Sequence, residues 1–141
     1  MDNAPVKVGI VSCSGEELPV GTVSRLACRK VLDKLQPSRS VTICLPLFIA
    51  GGEEERRFAA KFPTITVDGC EKRCAQRSTE ELSGNPAKSL VITDILQEKH
   101  IAPPTSRRNL TEQDRVIVQV VAEELSKAID DVLEGGKYGT L

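Results

Sequence analysis

Residues 63–70 read PTITVDGC, and they are the most informative part of the sequence about the fold because a strand pattern passes there into a helical one. In its first half, Ile65 and Val67 alternate with β-branched threonines, which predicts a strand. The turn at 68–70 follows at once, and the polar pattern of residues 71–82 then predicts a helix. A strand that leads through a short turn into a helix is the unit from which parallel sheets are built.

The same alternation recurs along the rest of the chain. Further strands are expected at 6–11, 41–45 and 89–93, with helical patterns at about 20–35 and 53–61. After an irregular segment at 97–108, a long helix is expected over about 111–134, capped by Thr111, burying Val116 and stopped by Gly135-Gly136. We therefore predict an α/β fold: a single three-layer domain over residues 1–141, with a mainly parallel four-stranded sheet of the Rossmann-like or flavodoxin-like type and a long C-terminal helix.

Composition excludes several classes of partner. The 141 residues include 19 basic and 20 acidic side chains, a formal net charge of -1, which offers no field for nucleic acid or for an anionic membrane. No run approaches the ~20 apolar residues of a membrane span, and the opening MDNAP lacks the basic and apolar regions of a signal peptide. The glycine motifs of nucleotide cofactors are absent. We expect a cytoplasmic protein with reduced cysteines.

Three of the five cysteines lie at or just after predicted strands, and a fourth follows in the first turn of the next predicted helix. Cys13 follows the first strand, Cys44 lies in the second, Cys70 follows the third, and Cys74 comes four residues later. The carboxyl ends of parallel strands meet at one edge of a sheet, where ligands bind. Since thiolates are preferred zinc ligands, these four cysteines predict a zinc site. An iron–sulfur cluster would use the same thiolates and is less favoured.

The remaining candidates have supporting or structural interpretations. Asp68 is expected either to cap the turn or to accept hydrogen bonds that orient the cysteine loop. Gly69 is expected to allow a close backbone approach. Cys28 adjoins the apolar stripe of the first helix, so we interpret it as a core residue. His100, the only histidine in the sequence, is interpreted as a surface residue.

An alternative function uses the thiols without a metal. Cys70 is expected at the start of a helix, where the dipole and free N–H groups stabilise a thiolate. A thiol enzyme or a sulfur- or redox-handling protein would use Cys70 as nucleophile, with Cys74 or Cys13 as resolving partner. No C-x5-R phosphatase loop and no C-x-x-C motif is present. These absences count against the thiol enzyme, and the preference for zinc rests mainly on the family resemblance that follows.

Several short motifs together resemble the DGC family of proposed zinc-binding proteins, named for its Asp-Gly-Cys motif. The resemblance covers about residues 6–100 and rests on Cys13-Ser14-Gly15, Val20-Gly21, Cys44, Val67-Asp68-Gly69-Cys70, Cys74 and Val91-Ile92-Thr93-Asp94 followed by Lys99. It implies a small domain whose four cysteines, here Cys13, Cys44, Cys70 and Cys74, bind zinc, and it implies no reaction. The metal ion is the expected partner; a monomer and a homodimer both fit the sequence.

Overall fold

In the computed structural model of the protein, residues 6–139 are described. Residues 1–5, on which the expected lack of a signal peptide rests, and residues 140–141 lie outside this range. Four strands form one sheet in the order β2-β1-β3-β4, and every pairing is parallel. The strands are β1 (Val8–Ser12), β2 (Ser40–Thr42), β3 (Thr64–Asp68) and β4 (Lys88–Val91). The predicted α/β fold with a parallel four-stranded sheet is confirmed.

Helices cover both faces of this sheet. They are α1 (Pro19–Lys30), which continues into a π-helical turn at Val31–Leu35, α2 (Leu47–Ala50), α3 (Glu53–Arg56), α4 (Phe58–Lys61), α5 (Cys74–Leu82), α6 (Ile92–Glu98) and α7 (Glu112–Gly139). Alternate residues of each strand point to opposite faces. On one face Ile10 and Ile65 pack with α1, α6 and α7, and on the other Val11 packs with α2, α4 and α5. Parallel sheets require this double cover because both faces are apolar.

The strand order places a topological switch point between β1 and β3. The chain passes from β1 to β2 on one side and then crosses to β3 on the other side of β1. Ser12 is paired with Val67, and the Cys13 N–H extends the ladder by donating to the Val67 carbonyl at 3.0 Å. The turns after β1 and β3 therefore lie side by side, at the position where open α/β sheets bind ligands.

Several element boundaries differ from the sequence predictions. β2 ends at Thr42, so Cys44 lies beyond the strand, where its carbonyl accepts the Leu47 N–H at 2.9 Å in the turn into α2. The predicted helix at 53–61 is two short helices, α3 and α4. β4 ends at Val91, and the residues expected to finish this strand instead begin α6, which also replaces the first part of the predicted irregular segment.

The last helix is longer than predicted. Thr111 caps it as expected, because the Asp114 N–H donates to Thr111 Oγ1 at 3.0 Å. The helix then continues past Gly135 to Gly139, so the predicted stop is wrong; a glycine inside a helix costs only about 1 kcal/mol relative to alanine and does not by itself end it. Val116 is 55% exposed, because the buried stripe runs through Ile117, Val121, Leu125 and Ala128.

The segment that joins α6 to α7, residues 101–110, is held against the start of α1. The Thr22 hydroxyl donates to the Arg107 carbonyl at 3.0 Å, and the Arg107 guanidinium donates to the Glu17 carbonyl at 3.3 Å. The Thr105 N–H donates to Asp114 Oδ1 at 3.0 Å, which ties the segment to α7. Within residues 6–139 no helix combines the length and apolar character needed to cross a membrane.

Candidate functional site

A cleft of about 420 Å³ opens at the switch point, and three cysteines line it. Cys13 enters from the turn after β1, Cys70 from the turn after β3, and Cys74 from the start of α5. The other walls are residues 14–18, Val20 and Gly21 of α1, and Asp68, Gly69, Lys72 and Arg73. We call this cavity the thiol cleft. It brings together three of the four cysteines that the sequence predicts as metal ligands.

Cys13 is half-buried at the base of the thiol cleft. Burial raises the pKa of its thiol; the Ser24 hydroxyl and the Gly69 N–H, which contact the sulfur, offset only part of this effect. The nearby charges of Asp68 and Cys74 act in the same direction as burial. Cys13 is therefore protonated at neutral pH unless a cation displaces the proton.

Asp68 closes the loop that carries the other two cysteines. Its carboxylate is 1% exposed and accepts the N–H groups of Ala75 at 2.7 Å and Gln76 at 3.0 Å. These are free donors of the first turn of α5, whose own cap position, Arg73, supplies no side-chain bond. Burial raises the pKa of Asp68, and the two N–H bonds and Arg73 lower it in part. Asp68 therefore caps the start of α5, one of the two roles expected of it, and its support of a metal site stays a prediction.

The occupied helix start changes the chemistry expected of Cys70. α5 begins at Cys74, because Arg73 adopts a left-handed conformation with φ of 55° and its N–H donates to the Cys70 carbonyl at 3.1 Å. Cys70 therefore lies in the turn before the helix, half-buried against the core, and the prediction that it starts a helix is wrong. Cys74, which is exposed, holds that position, and Asp68 already uses the N–H donors there.

Three glycines from separate segments meet beneath the thiol cleft. A Cβ on Gly69 would lie 2.8 Å from the Gly21 nitrogen, and one on Gly21 would lie 2.6 Å from the Gly15 Cα. Gly15 also has a φ of 70°, which favours glycine. The turns after β1 and β3 and the start of α1 can thus touch backbone to backbone. Gly15 and Gly21 were not assigned a site role from the sequence, although both belong to the motifs that carry the family resemblance.

Cys44 does not join the other three predicted ligands. It is exposed, and it is not among the described residues that line the thiol cleft. Its neighbours Ile43 and Leu45 pack against the core cluster on the α5 side of the sheet, whereas Cys44 is not part of that cluster. Cys28 is 3% exposed, and burial raises its pKa to about 12, as fits a core residue.

The thiols of the cleft are suitable zinc ligands, although their sulfur atoms do not surround a common point. Three thiols line one cleft, and thiolates are the ligands that zinc prefers. In the described part of the chain, no group of three His, Cys, Asp or Glu side chains is already positioned around one point that could hold a metal ion. The cleft cysteines would therefore have to turn their sulfurs toward a common point when an ion enters.

Charged side chains of both signs surround the mouth of the thiol cleft. Glu16 and Glu17 come from the turn after β1, and Lys72 and Arg73 come from the cysteine loop. Arg73 also lies 3.9 Å from Asp94 of α6. His100 is exposed and is not among the described residues of the cleft lining, so the predicted surface position is confirmed.

Comparison with known families agrees with the motifs in the sequence. A family model described as the DGC domain matches residues 9–125, which include all five cysteines and extend into α7. This match reaches further along the chain than the resemblance at about 6–100. No curated protein and no solved structure matches the chain.

Proposed function

The chain belongs to the DGC domain family, and from this premise we propose that it is a cytoplasmic zinc-binding protein whose ion is held by the thiol cleft. The role that we assign is non-catalytic: a structural clip, a metal carrier or a metal sensor. The ion is the only partner that this role requires, and a monomer or a homodimer would serve equally.

One observation carries the proposal: Cys13, from the turn after β1, and Cys70 and Cys74, from the loop that joins β3 to α5, line a single cleft. A parallel sheet brings its carboxyl ends to one edge, but it does not by itself place thiols there. Zinc supplies a positive charge that binds several thiolates at once, which otherwise repel one another.

The surrounding residues suit this role. The two hydrogen bonds of Asp68 hold the end of β3 against the start of α5. They therefore fix the conformation of the loop that carries Cys70 and Cys74. Lys72 and Arg73 line the same cleft and would offset the negative charge of bound thiolates. Because the Cys13 thiol is protonated in the free protein, ion binding would release its proton.

The competing proposal is a thiol enzyme with Cys70 as nucleophile and Cys74 or Cys13 as resolving partner. The accessibility of Cys70 and Cys74 favours the thiol enzyme, because both line the cleft and neither is fully buried. Against it, burial raises the pKa of Cys13, and Asp68 occupies the N–H groups that would otherwise stabilise a thiolate at the start of α5.

Metal content and thiol reactivity, measured together, separate the two proposals. Untagged protein is purified without added metal, its zinc is measured by elemental analysis, and its thiols are alkylated before and after chelation. We expect about one zinc per chain and cleft thiols that react only after chelation. Metal-free protein with one fast-reacting thiol at neutral pH would contradict the zinc proposal and support the enzyme. A coloured, iron-containing protein would indicate an iron–sulfur cluster instead.

A further inference from the structure

Cys44 is separated from the thiol cleft by features of the chain that resist rearrangement. Ile43 and Leu45, on either side of it, are packed in a core cluster with Phe48 and Phe58. Cys44 lies between these two packed residues, so a movement of its side chain into the thiol cleft would have to disturb their packing.

The backbone around Cys44 is also fixed at both ends. Thr42 Oγ1 donates to the Ile10 carbonyl at 2.7 Å, and the Leu47 N–H donates to the Cys44 carbonyl at 2.9 Å. Pro46 then begins the helical turn of α2, where its carbonyl accepts the N–H of Ala50 at 2.9 Å. Hydrogen bonds therefore hold the connection between β2 and α2, from Thr42 to Ala50, in one conformation.

We propose that the metal site uses only three protein thiolates, those of Cys13, Cys70 and Cys74, and that its fourth coordination position binds a small zwitterionic thiol in the thiol cleft. This inference rests on the zinc site proposed above and replaces one of its four expected ligands. Cys44 remains a free surface thiol. Zinc sites with three protein ligands and one exchangeable ligand are the open class of site, in contrast to closed structural sites.

The size of the thiol cleft supports an exogenous ligand. A cavity of about 420 Å³ falls within the range that accommodates small molecules. A closed four-cysteine site would need no such space beside the ion. The cleft lies at the switch point of the sheet, the usual place for a bound small molecule.

The charges of the lining suggest the chemical class of that ligand. Lys72 and Arg73 suit a carboxylate, and Glu16 and Glu17 suit an ammonium group. A thiol is the donor that best matches an ion already held by three thiolates. A small molecule that carries a thiol, a carboxylate and an ammonium group, such as free cysteine, therefore matches both the ion and the charged residues at the mouth of the cleft.

Cobalt substitution tests the ligand set. Cobalt(II) is titrated into reduced, metal-free protein, with a thiol-free reductant, and the visible absorption is recorded for the wild type and for four single variants. Cys44→Ser is expected to keep the spectrum and the affinity of the wild type. Cys13→Ser, Cys70→Ser and Cys74→Ser are expected to weaken binding by more than about 100-fold, above the usual effect of losing a supporting residue.

Three probes then test the open position. Free cysteine is expected to shift the cobalt absorption while the ion stays with the protein on desalting. Serine, which has a hydroxyl in place of the thiol, is expected to have no effect. The thiol 2-mercaptoethanol, which lacks both charges, is expected to act only at concentrations at least about tenfold higher, the difference in affinity that corresponds to about one interaction with the charged residues of the cleft.

The outcomes distinguish the two proposals. If Cys44→Ser weakens binding as much as the other three variants, the site has four protein thiolates and the inference is wrong, while the zinc proposal stands. If cysteine leaves the spectrum unchanged or strips the ion, the fourth position does not bind this ligand and the inference is again wrong. If the wild type binds no cobalt and no zinc, both proposals fail.

Discussion

The carboxylate of Asp68 accepts a hydrogen bond of 2.7 Å from the backbone N–H of Ala75, and this bond spans the whole cysteine loop. A second bond, from the Gln76 N–H at 3.0 Å, engages the other carboxylate oxygen. The loop between them carries Cys70 and Cys74, so a buried side chain at the end of a core strand sets the position of both thiols. The start of α5 is capped by a residue that lies six positions before the helix, which makes the turn and the helix one unit.

Removing the Asp68 carboxylate is expected to loosen this unit. Asp68→Ala leaves two N–H donors without their partner, which should lower the free energy of unfolding by about 1–3 kcal/mol. It should also weaken zinc binding by about 10–100-fold, because the supporting contact of the loop is lost. Urea unfolding and a zinc competition titration measure the two effects.

Asp33→Ala is the matched control, because the Asp33 carboxylate is exposed and pairs with Arg29 at 2.7 Å on the surface. An exposed pair of this kind contributes about 0–1 kcal/mol. Equal effects of the two substitutions on zinc affinity would refute the role assigned to Asp68.

A methyl group at Gly69 is expected to disrupt the floor of the thiol cleft. Its Cβ would lie 2.8 Å from backbone atoms of Val20 and Gly21, which cannot move aside as a flexible side chain would. Gly69→Ala should therefore destabilise the protein by about 1–3 kcal/mol. Gly135→Ala, in the open part of α7 with nothing within 4 Å of the new Cβ, should instead stabilise it by up to about 1 kcal/mol. Thermal melting compares the two; a Gly69→Ala protein as stable as the wild type would contradict the close approach.

The buried hydroxyl of Thr22 is expected to contribute to holding the segment 101–110 in place. Thr22→Val removes the bond to the Arg107 carbonyl and keeps the shape of the side chain. We expect a loss of about 1 kcal/mol in stability and faster tryptic cleavage after Arg107 and Arg108, because the segment opens more often. Limited proteolysis followed by mass spectrometry measures the cleavage rate. Unchanged cleavage at these two sites would show that the hydroxyl does not hold the segment.

Acid is expected to weaken the start of α7 through Asp114. Burial of this carboxyl raises its pKa, whereas hydrogen bonds from the Thr105 and Thr111 backbone lower it. The hydrogen bonds have the larger combined effect, so the pKa of Asp114 lies below the usual value. Its stabilising contribution is thus complete above the unfolded pKa of about 3.9 and is lost as the pH falls toward the folded pKa.

The Asp114→Asn variant tests this dependence. It should be less stable than the wild type at pH 7, and the difference between the two should shrink as the pH falls below about 4, because the carboxyl is protonated first in the unfolded wild type and only at lower pH in the folded protein. Urea midpoints at pH 7, 4 and 3 measure the difference. A difference that is the same at all three pH values would contradict the assignment.

The strands could be predicted because their signal is local. Ile65 and Val67 alternate with threonines, and the register that pairs Ile10 with Ile65 follows from two such patterns side by side. The helix α6 could not be predicted in this way. Ile92 belongs to a β-branched run typical of a strand, yet it forms a helix because Ile92, Ile95 and Leu96 share one buried face.

The position of each thiol is harder to predict than the position of each strand. Sequence places Cys13 and Cys70 after strands, and the switch point then brings them together. Cys44 follows a strand as well, but its direction depends on Ile43 and Leu45, whose packing partners lie elsewhere in the chain. The contact between Gly15 and Gly21 is likewise set by tertiary structure, so spacing alone does not identify it.

The zinc site can be tested with a crystal structure of the zinc-loaded protein and anomalous data collected on both sides of the zinc absorption edge. We expect one anomalous peak in the thiol cleft, with the sulfurs of Cys13, Cys70 and Cys74 at about 2.3 Å from it. A zinc-loaded crystal with no peak in the thiol cleft, or with its only peak at a site that lacks these three sulfurs, would contradict this expectation.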